Sequence, residues 1–160
     1  MSDIPRNVVV RKARANDVAA ITMLVNGYAA EDVMLPRTPE QIALALESYV
    51  VATDARGGLL ACAALREYAP SLVELVSVAV SRDAHGMGLG RVVVDAAQDL
   101  AVKRGYDGMF AHTLTPQFFE AIGYGVVDRA LFPEKKARPH TTCVWRTLPA
   151  PAVVRLRVAA

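Results

Sequence analysis

Two hydrophobic periods alternate along the chain, and the switches between them lay out its elements. Val8–Lys12 is a short apolar run that predicts a first strand. From Asp17 to Ala30 the apolar residues Val18, Ile21, Leu24, Val25 and Tyr28 fall on one helical face, with Asn16 or Asp17 placed to cap it. A second helix opens after Thr38-Pro39, with Glu40 and Gln41 in its first turn and Ile42, Leu44 and Leu46 among its apolar positions. The period then shortens. Tyr49–Thr53 reads as a strand, Asp54–Gly58 as a turn built on Arg56-Gly57-Gly58, and Leu59–Glu67 as the return strand of a hairpin. Pro70-Ser71 leads into a valine-rich run, Leu72–Val80, whose length and β-branched content predict a buried strand. Helical spacing returns at Leu89, Val92, Val93, Ala96 and Leu100 and stops at Arg104-Gly105. Gly108–Leu114 is a further strand, Thr115-Pro116 opens a short helix that Gly123 ends, and Tyr124–Val127 and Thr141–Leu148 are the last strands.

The junction between the valine-rich strand and the long helix carries Gly86, Gly88 and Gly90. Glycine at every second position clears side chains from the place where the first N–H groups of a helix lack intrahelical partners. An anion can approach those donors and the positive end of the helix dipole, so the expected ligand is a phosphate or pyrophosphate. A tight turn alone would also account for a glycine trio.

Arg82-Asp83-Ala84-His85-Gly86-Met87-Gly88-Leu89-Gly90 after an apolar strand resembles the acetyl-CoA loop of the GNAT acetyltransferases. Gly88 and Gly90 match that family's pattern, Gly86 falls where glycine is frequent, and His85 stands where arginine or glutamine is usual. The element order agrees from Val8 to about Leu148. The resemblance implies an α/β (α+β) fold, a central mixed, mostly antiparallel twisted sheet of about seven strands with about four helices. Within the family, several segments are similar to the acetyltransferase domain of N-acetylglutamate synthases. They are Met34-Leu35-Pro36-Arg37-Thr38, Ala61-Cys62-Ala63-Ala64-Leu65, Val73-Glu74-Leu75, Val78-Ala79-Val80, the run Thr113–Tyr124, and Phe132-Pro133-Glu134-Lys135-Lys136. This implies a short, stand-alone relative of those enzymes that uses acetyl-CoA and needs no metal.

Composition narrows the classes without choosing an activity. The 160 residues suit one domain over residues 1–148, with residues 149–160 as a tail or edge strand in which Val154-Arg155-Leu156-Arg157-Val158 alternates. A net charge of +2 from 18 basic and 16 acidic residues gives no reason to expect nucleic acid or membrane as partner. The basic group Lys135, Lys136, Arg138 lies between Pro133 and Pro139 and reads as a solvated loop. No apolar stretch has the length of a membrane span and no cleavable signal pattern opens the chain, so a cytoplasmic protein, expected as a homodimer, is the reading. Cys62 and Cys143 lack neighbours at metal-ligand spacing and read as reduced core thiols.

Acetyl transfer to an amine sets three chemical requirements. The amine must lose its proton, and Glu74, an acid inside an apolar strand, is the candidate base, with His112 the second choice. An oxyanion needs fixed donors, which the resemblance places on the main chain of Val78, Ala79 and Val80, the same segment pairing with the pantetheine arm. A leaving thiolate takes up a proton. Many members of the family use a tyrosine where this chain has Phe119, as the glutamate branch also does, and water or a nearby hydroxyl would serve, with Ser77 the further catalytic candidate. The donor site implied by the resemblance is His85, Gly86, Met87, Gly88, Leu89, Gly90 and Arg91 with Phe118 and Phe119. The acceptor site is Arg37, Thr113, Leu114 and Arg146, with Arg138 and Thr142 as further candidates, since arginine forks pair with carboxylates. L-Glutamate is the first acceptor, glutamine or aspartate the alternatives.

Two other classes remain at this point. Gly86-x-Gly88-x-Gly90 with Asp107 downstream partly matches a dinucleotide-binding Rossmann fingerprint, although Arg91 stands where its third glycine belongs. The other is an acyl-CoA-binding module without catalysis.

Overall fold

The computed structural model describes residues 4–133 and 140–150. In chain order the elements are β1 (Val9–Lys12), α1 (Val18–Ala29), α2 (Pro39–Leu44), β2 (Tyr49–Thr53), β3 (Leu59–Ala69), β4 (Leu72–Val80), α3 (Leu89–Lys103), β5 (Gly108–Thr113), α4 (Pro116–Ala121), β6 (Gly125–Val127) and β7 (Thr142–Thr147). The seven strands are ordered β1-β2-β3-β4-β5-β7-β6. β1–β2, β2–β3, β5–β7 and β6–β7 are antiparallel, whereas β4–β5 is parallel. A sheet so dominated by antiparallel pairs is the mixed α/β architecture expected from the sequence and rules out the parallel Rossmann sheet.

The chain condenses into two compact units. One comprises residues 1–66 with 75–97, the other residues 67–74 with 98–160.

In the first unit, α1 contributes Ile21 and Val25 and α2 contributes Ile42 to a core shared with Tyr49, Val51, Cys62, Ala64 and Ala79. Val18, Leu24 and Tyr28 pack against that cluster, so the helical face read from the sequence is the buried one. Thr38 caps α2 through a reciprocal pair: Gln41 N–H donates to Thr38 Oγ1 at 3.1 Å and Thr38 N–H donates to Gln41 Oε1 at 2.9 Å. Pro39 follows at the first helical position, and Leu44, the last residue of the helix, is 90% exposed. The hairpin turn is held by Asp54 Oδ1, which accepts from Arg56 N–H at 2.9 Å and Gly58 N–H at 2.8 Å, with Gly57 at φ 86°.

Asp17 has a task other than capping α1. A 3-10 turn, Ala15–Asp17, precedes the helix, and the Asp17 carboxylate reaches back to accept Arg14 N–H at 2.7 Å. It also accepts both Arg11 guanidinium bonds, at 2.7 and 3.0 Å. The hydrogen bond from Arg11 is the chief reason its carboxyl lies below the usual carboxylate range.

In the second unit, Phe110 and Phe132 stack at 3.8 Å with Tyr68 edge-on to both at 5.4 and 5.5 Å. Trp145 joins this cluster, and Gly108 makes room for it, since a Cβ there would lie 2.0 Å from the indole. α3 runs through the division between the units: Val93, Val94 and Ala97, in the first, and Ala101, in the second, are fully buried. Of the face expected from the sequence, Leu89, Val92 and Val93 are buried and Ala96 and Leu100 are half-buried. Lys135, Lys136 and Arg138, and the alternating tail Val154–Val158, lie outside the described residues.

Replacing Asp17 with Asn leaves the Arg11 guanidinium with a weaker acceptor and should lower unfolding free energy at pH 7 by about 1–3 kcal/mol. Because the folded carboxyl titrates below its unfolded value, this stabilisation is complete above the ordinary carboxylate range and is lost as pH falls through the lowered value. Denaturation curves of the two proteins should therefore converge in acid.

Candidate active site

Between β4 and α3 the chain makes a 3-10 turn, Arg82–Ala84, then passes through Gly86 and Gly88 at φ 87° and 74° before α3 begins at Leu89. Both angles lie in the left-handed region open to glycine, and no atom stands within 4 Å of where a Cβ would project from either residue. The first bond of α3 runs from Val92 N–H to Gly88 C=O at 3.3 Å, so the N–H groups of Leu89, Gly90 and Arg91 have no intrahelical acceptor. Leu89 is buried and anchors the turn, while Met87 is 43% exposed and Arg91 is exposed. Gly90, unlike Gly86 and Gly88, lies within the helix. The local geometry is an open, donor-lined cradle of the kind that suits a phosphate or pyrophosphate.

His85 shapes this loop. Its main-chain N–H donates to Arg82 C=O at 3.3 Å, and its Nε2 lies 3.0 Å from Tyr28 Oη and 3.2 Å from Val80 C=O. Tyr28 Oη–H itself donates to Val80 C=O at 2.6 Å, so the three groups form one polar cluster at the end of β4. Arg82 lies over the Tyr28 ring at 4.8 Å and forms an ion pair with Glu31. The imidazole expected to touch the donor molecule is thus committed to fastening the loop to the end of β4 and to α1. Beside this network, Met23, Leu24, Gly27, Tyr28, Glu31, Ser81 and Arg82 line a depression of about 170 Å³.

The centre of β4 is distorted. Ser77 has φ 55°, a conformation that costs a non-glycine residue about 1–3 kcal/mol. Its C=O accepts Cys62 Sγ–H at 3.3 Å, and its Oγ lies 3.4 Å from Tyr49 Oη. Val76, Ser77 and Val78 are half-buried where the preceding Val73, Glu74 and Leu75 are buried. Burial raises the Tyr49 phenol above its ordinary value, with smaller opposing effects from the Ser77 hydrogen bond and the nearby Arg37 guanidinium. Arg37 itself is held by its main chain: its N–H donates to Asn26 Oδ1 at 2.9 Å and its C=O accepts Asn26 Nδ2–H at 2.7 Å.

In the second unit Glu74 is 4% exposed and opposite Phe110 in the parallel register, which covers Leu72–Glu74 of β4. His112 lies two residues beyond Phe110 on the same sheet face and opposite Cys143. The two candidate bases therefore share one face. Burial, then the negative charge of Glu74, pushes the Cys143 thiol up to about 11, and burial pushes the Cys62 thiol up to about 12. Neither is a thiolate at neutral pH, which leaves no basis for a cysteine nucleophile.

Phe119 is 4% exposed and packs edge-on against Phe118 and Tyr124 at 5.1 and 5.2 Å. It is a core residue, whereas Phe118 is half-buried. Thr113 Oγ1 accepts Thr115 N–H at 2.9 Å at the exit of β5, and Leu114 is 45% exposed. Arg146, expected at the acceptor, instead donates from Nη1 to Ile122 C=O at 2.9 Å and closes the end of α4 against Gly123. Opposite Met109 in the register, it projects from the face that does not carry Glu74. Arg138 lies outside the described residues.

Asn26, Tyr28 and Tyr49 had no signal in the sequence as site residues. Tyr28 read as one more apolar position of α1, and the partners of all three lie 11 or more residues away along the chain.

The sequence matches the model of the Acetyltransferase (GNAT) family over residues 17–124. It is 35% identical over 86% of its length to the uncharacterized N-acetyltransferase CT2212 of Chlorobaculum tepidum, of which it covers 88%. It is 32% identical over 80% of its length to the amino-acid acetyltransferase of Mycobacterium tuberculosis, covering 75% of that protein, and spans 29% of the longer Pasteurella multocida enzyme of the same name. Among solved structures it is similar to the N-acetylglutamate synthase of Neisseria gonorrhoeae complexed with coenzyme A and N-acetyl-glutamate. There the TM-score is 0.81 at 24% identity, covering 89% of this chain and 35% of that one. The strand order, the glycine loop ahead of α3 and these matches agree, and the chain belongs to the GNAT acetyltransferase family.

Proposed function

We propose that this enzyme transfers an acetyl group from acetyl-CoA to the amino group of a small amino acid, with L-glutamate the first acceptor to test. The observation that carries the reading is the open cradle of Gly86 and Gly88 ahead of the free N–H groups of Leu89, Gly90 and Arg91. Those residues fit the diphosphate of coenzyme A, which brings the acetyl group as a thioester. The similarity to amino-acid acetyltransferases supports an amino acid as acceptor.

The remaining steps fall to side chains and main chain of this protein. Glu74 takes the proton from the acceptor's ammonium, directly or through a water, so that the nitrogen has a lone pair for attack; His112, on the same face, is the second choice. The N–H groups of Val78, Ala79 and Val80, past the distortion at Ser77, serve as fixed dipoles for charge developing on oxygen. Ser77 Oγ is a hydroxyl able to return a proton to sulfur, a task Phe119 has no group to perform. Arg37 grips a carboxylate of the acceptor through its guanidinium fork. Arg146 has no part in this scheme, since it is engaged at the end of α4.

The direct test is coenzyme A release measured across the twenty amino acids, with glutamine and aspartate as the nearest competitors of glutamate. Cofactor uptake with no transfer to any of them would favour an acyl-CoA-binding module instead. Glu74→Gln should lower kcat by about 100-fold or more and change the pH dependence of turnover. Its affinity for coenzyme A should be unchanged. Arg37→Ala should raise the acceptor KM by about 10–100-fold, the equivalent of one lost charge-assisted contact, with coenzyme A affinity again unaltered.

A further inference from the structure

In a trans peptide the C=O of one residue and the N–H of the next point in opposite directions, so fixing one aims the other. The described residues contain no cis peptide bond, and the rule therefore holds between Ser77 and Val78, where β4 leaves regular geometry with φ 55° at Ser77. Such an angle is unfavourable for a residue that has a Cβ, and it persists only where its surroundings determine it. Here the Ser77 C=O accepts Cys62 Sγ–H at 3.3 Å. Cys62 is fully buried in the core that α1 and α2 build with Tyr49 and Val51. The carbonyl is thus turned toward that core, and the Val78 N–H in the same plane is turned away from it. Val76, Ser77 and Val78 are half-buried, while Leu75 and Ala79 on either side are buried, so the turned peptide lies on the more accessible stretch of β4.

We propose that Cys62 is a positioning residue for acetyl transfer: by holding the Ser77 carbonyl it aims the Val78 N–H outward from the core, as a donor to the acetyl oxygen on which charge develops. The inference rests on the reading of the Val78 N–H as an oxyanion donor and adds the group that sets its direction. A thiol suits the task, because it packs as a small apolar side chain among Ile21, Val25 and Val51 and still carries one weak donor. Its bond also polarises the peptide that accepts it, which strengthens the N–H on the far side. No bond to the Cys62 sulfur forms or breaks. The Ser77 side chain is placed from the same core, with its Oγ 3.4 Å from Tyr49 Oη.

The test compares Cys62→Ser, which keeps a donor, with Cys62→Ala and Cys62→Val, which have none. Turnover is measured with acetyl-CoA and L-glutamate, or whichever of the twenty amino acids gives the highest rate, and backbone amide spectra are recorded on isotope-labelled full-length protein. Cys62→Ala and Cys62→Val should each lower kcat about 5- to 20-fold, with acceptor KM and coenzyme A affinity within about twofold. Cys62→Ser should stay within about threefold of the wild-type kcat, so that kcat follows the donor and not Tm. The Val78 amide signal should respond to acetyl-CoA in the wild type, move in Cys62→Ala, and return toward its wild-type position in Cys62→Ser. An unchanged kcat in Cys62→Ala and Cys62→Val, while the wild-type Val78 signal responds to acetyl-CoA, would overturn this proposal and leave the oxyanion reading standing. Equal losses in Cys62→Ser and Cys62→Ala, or losses that follow Tm across the three variants, would show a packing role and overturn it too. An acetylated Cys62 trapped without acceptor would make the thiol a nucleophile and also overturn it. A wild-type Val78 signal indifferent to acetyl-CoA would remove the oxyanion reading and this inference with it.

Discussion

A helix that starts without side chains in its way leaves main-chain donors facing outward, and these are useful only if the loop before them keeps its shape. Everything around the start of α3 serves that constraint. Gly86 and Gly88 adopt left-handed angles that open the cradle. The Val80 carbonyl at the end of β4 gathers Tyr28 and His85, and Arg82 is stacked on Tyr28 and paired with Glu31. Backbone entropy is therefore lost on folding, not on binding, which is the physical meaning of a preorganised anion site. His85, where arginine or glutamine is usual in the family, closes the loop on the Val80 carbonyl of β4 through its Nε2.

A second constraint acts in the middle of β4. Ser77 departs from strand geometry, and the departure is accompanied by polar contacts from the neighbouring β3, the Cys62 thiol, and from β2 one strand further out, the Tyr49 phenol. Strain of this kind persists only where its surroundings determine it fully. Cys62 thus contributes as a buried hydrogen-bond donor with a thiol pushed up to about 12, a role opposed to that of a nucleophile.

Much of this was legible in the sequence, for identifiable reasons. The order of eleven strands and helices follows from hydrophobic period and from local punctuation, such as the Thr38-Pro39 cap and the Asp54–Gly58 turn, whose partners lie within four residues. The glycine loop was readable because glycine spacing encodes main-chain access directly. What was not readable depends on contacts between distant segments. Asp17 is diverted from capping by Arg11, Arg146 is drawn to Ile122, His85 is drawn to Tyr28, and Tyr49 reaches Ser77 across 28 positions. Each of these polar side chains finds a partner that only the fold supplies.

The central claim is that the main-chain donors of Gly86–Arg91 hold the diphosphate of an acetyl donor. Isothermal titration of the full chain with coenzyme A and with acetyl-CoA tests it most directly. The account predicts one site per chain for either compound, with an affinity that falls as salt is raised, as an anion held by a helix start requires. Absence of binding by folded protein, or binding of a nicotinamide dinucleotide in place of coenzyme A, would contradict it.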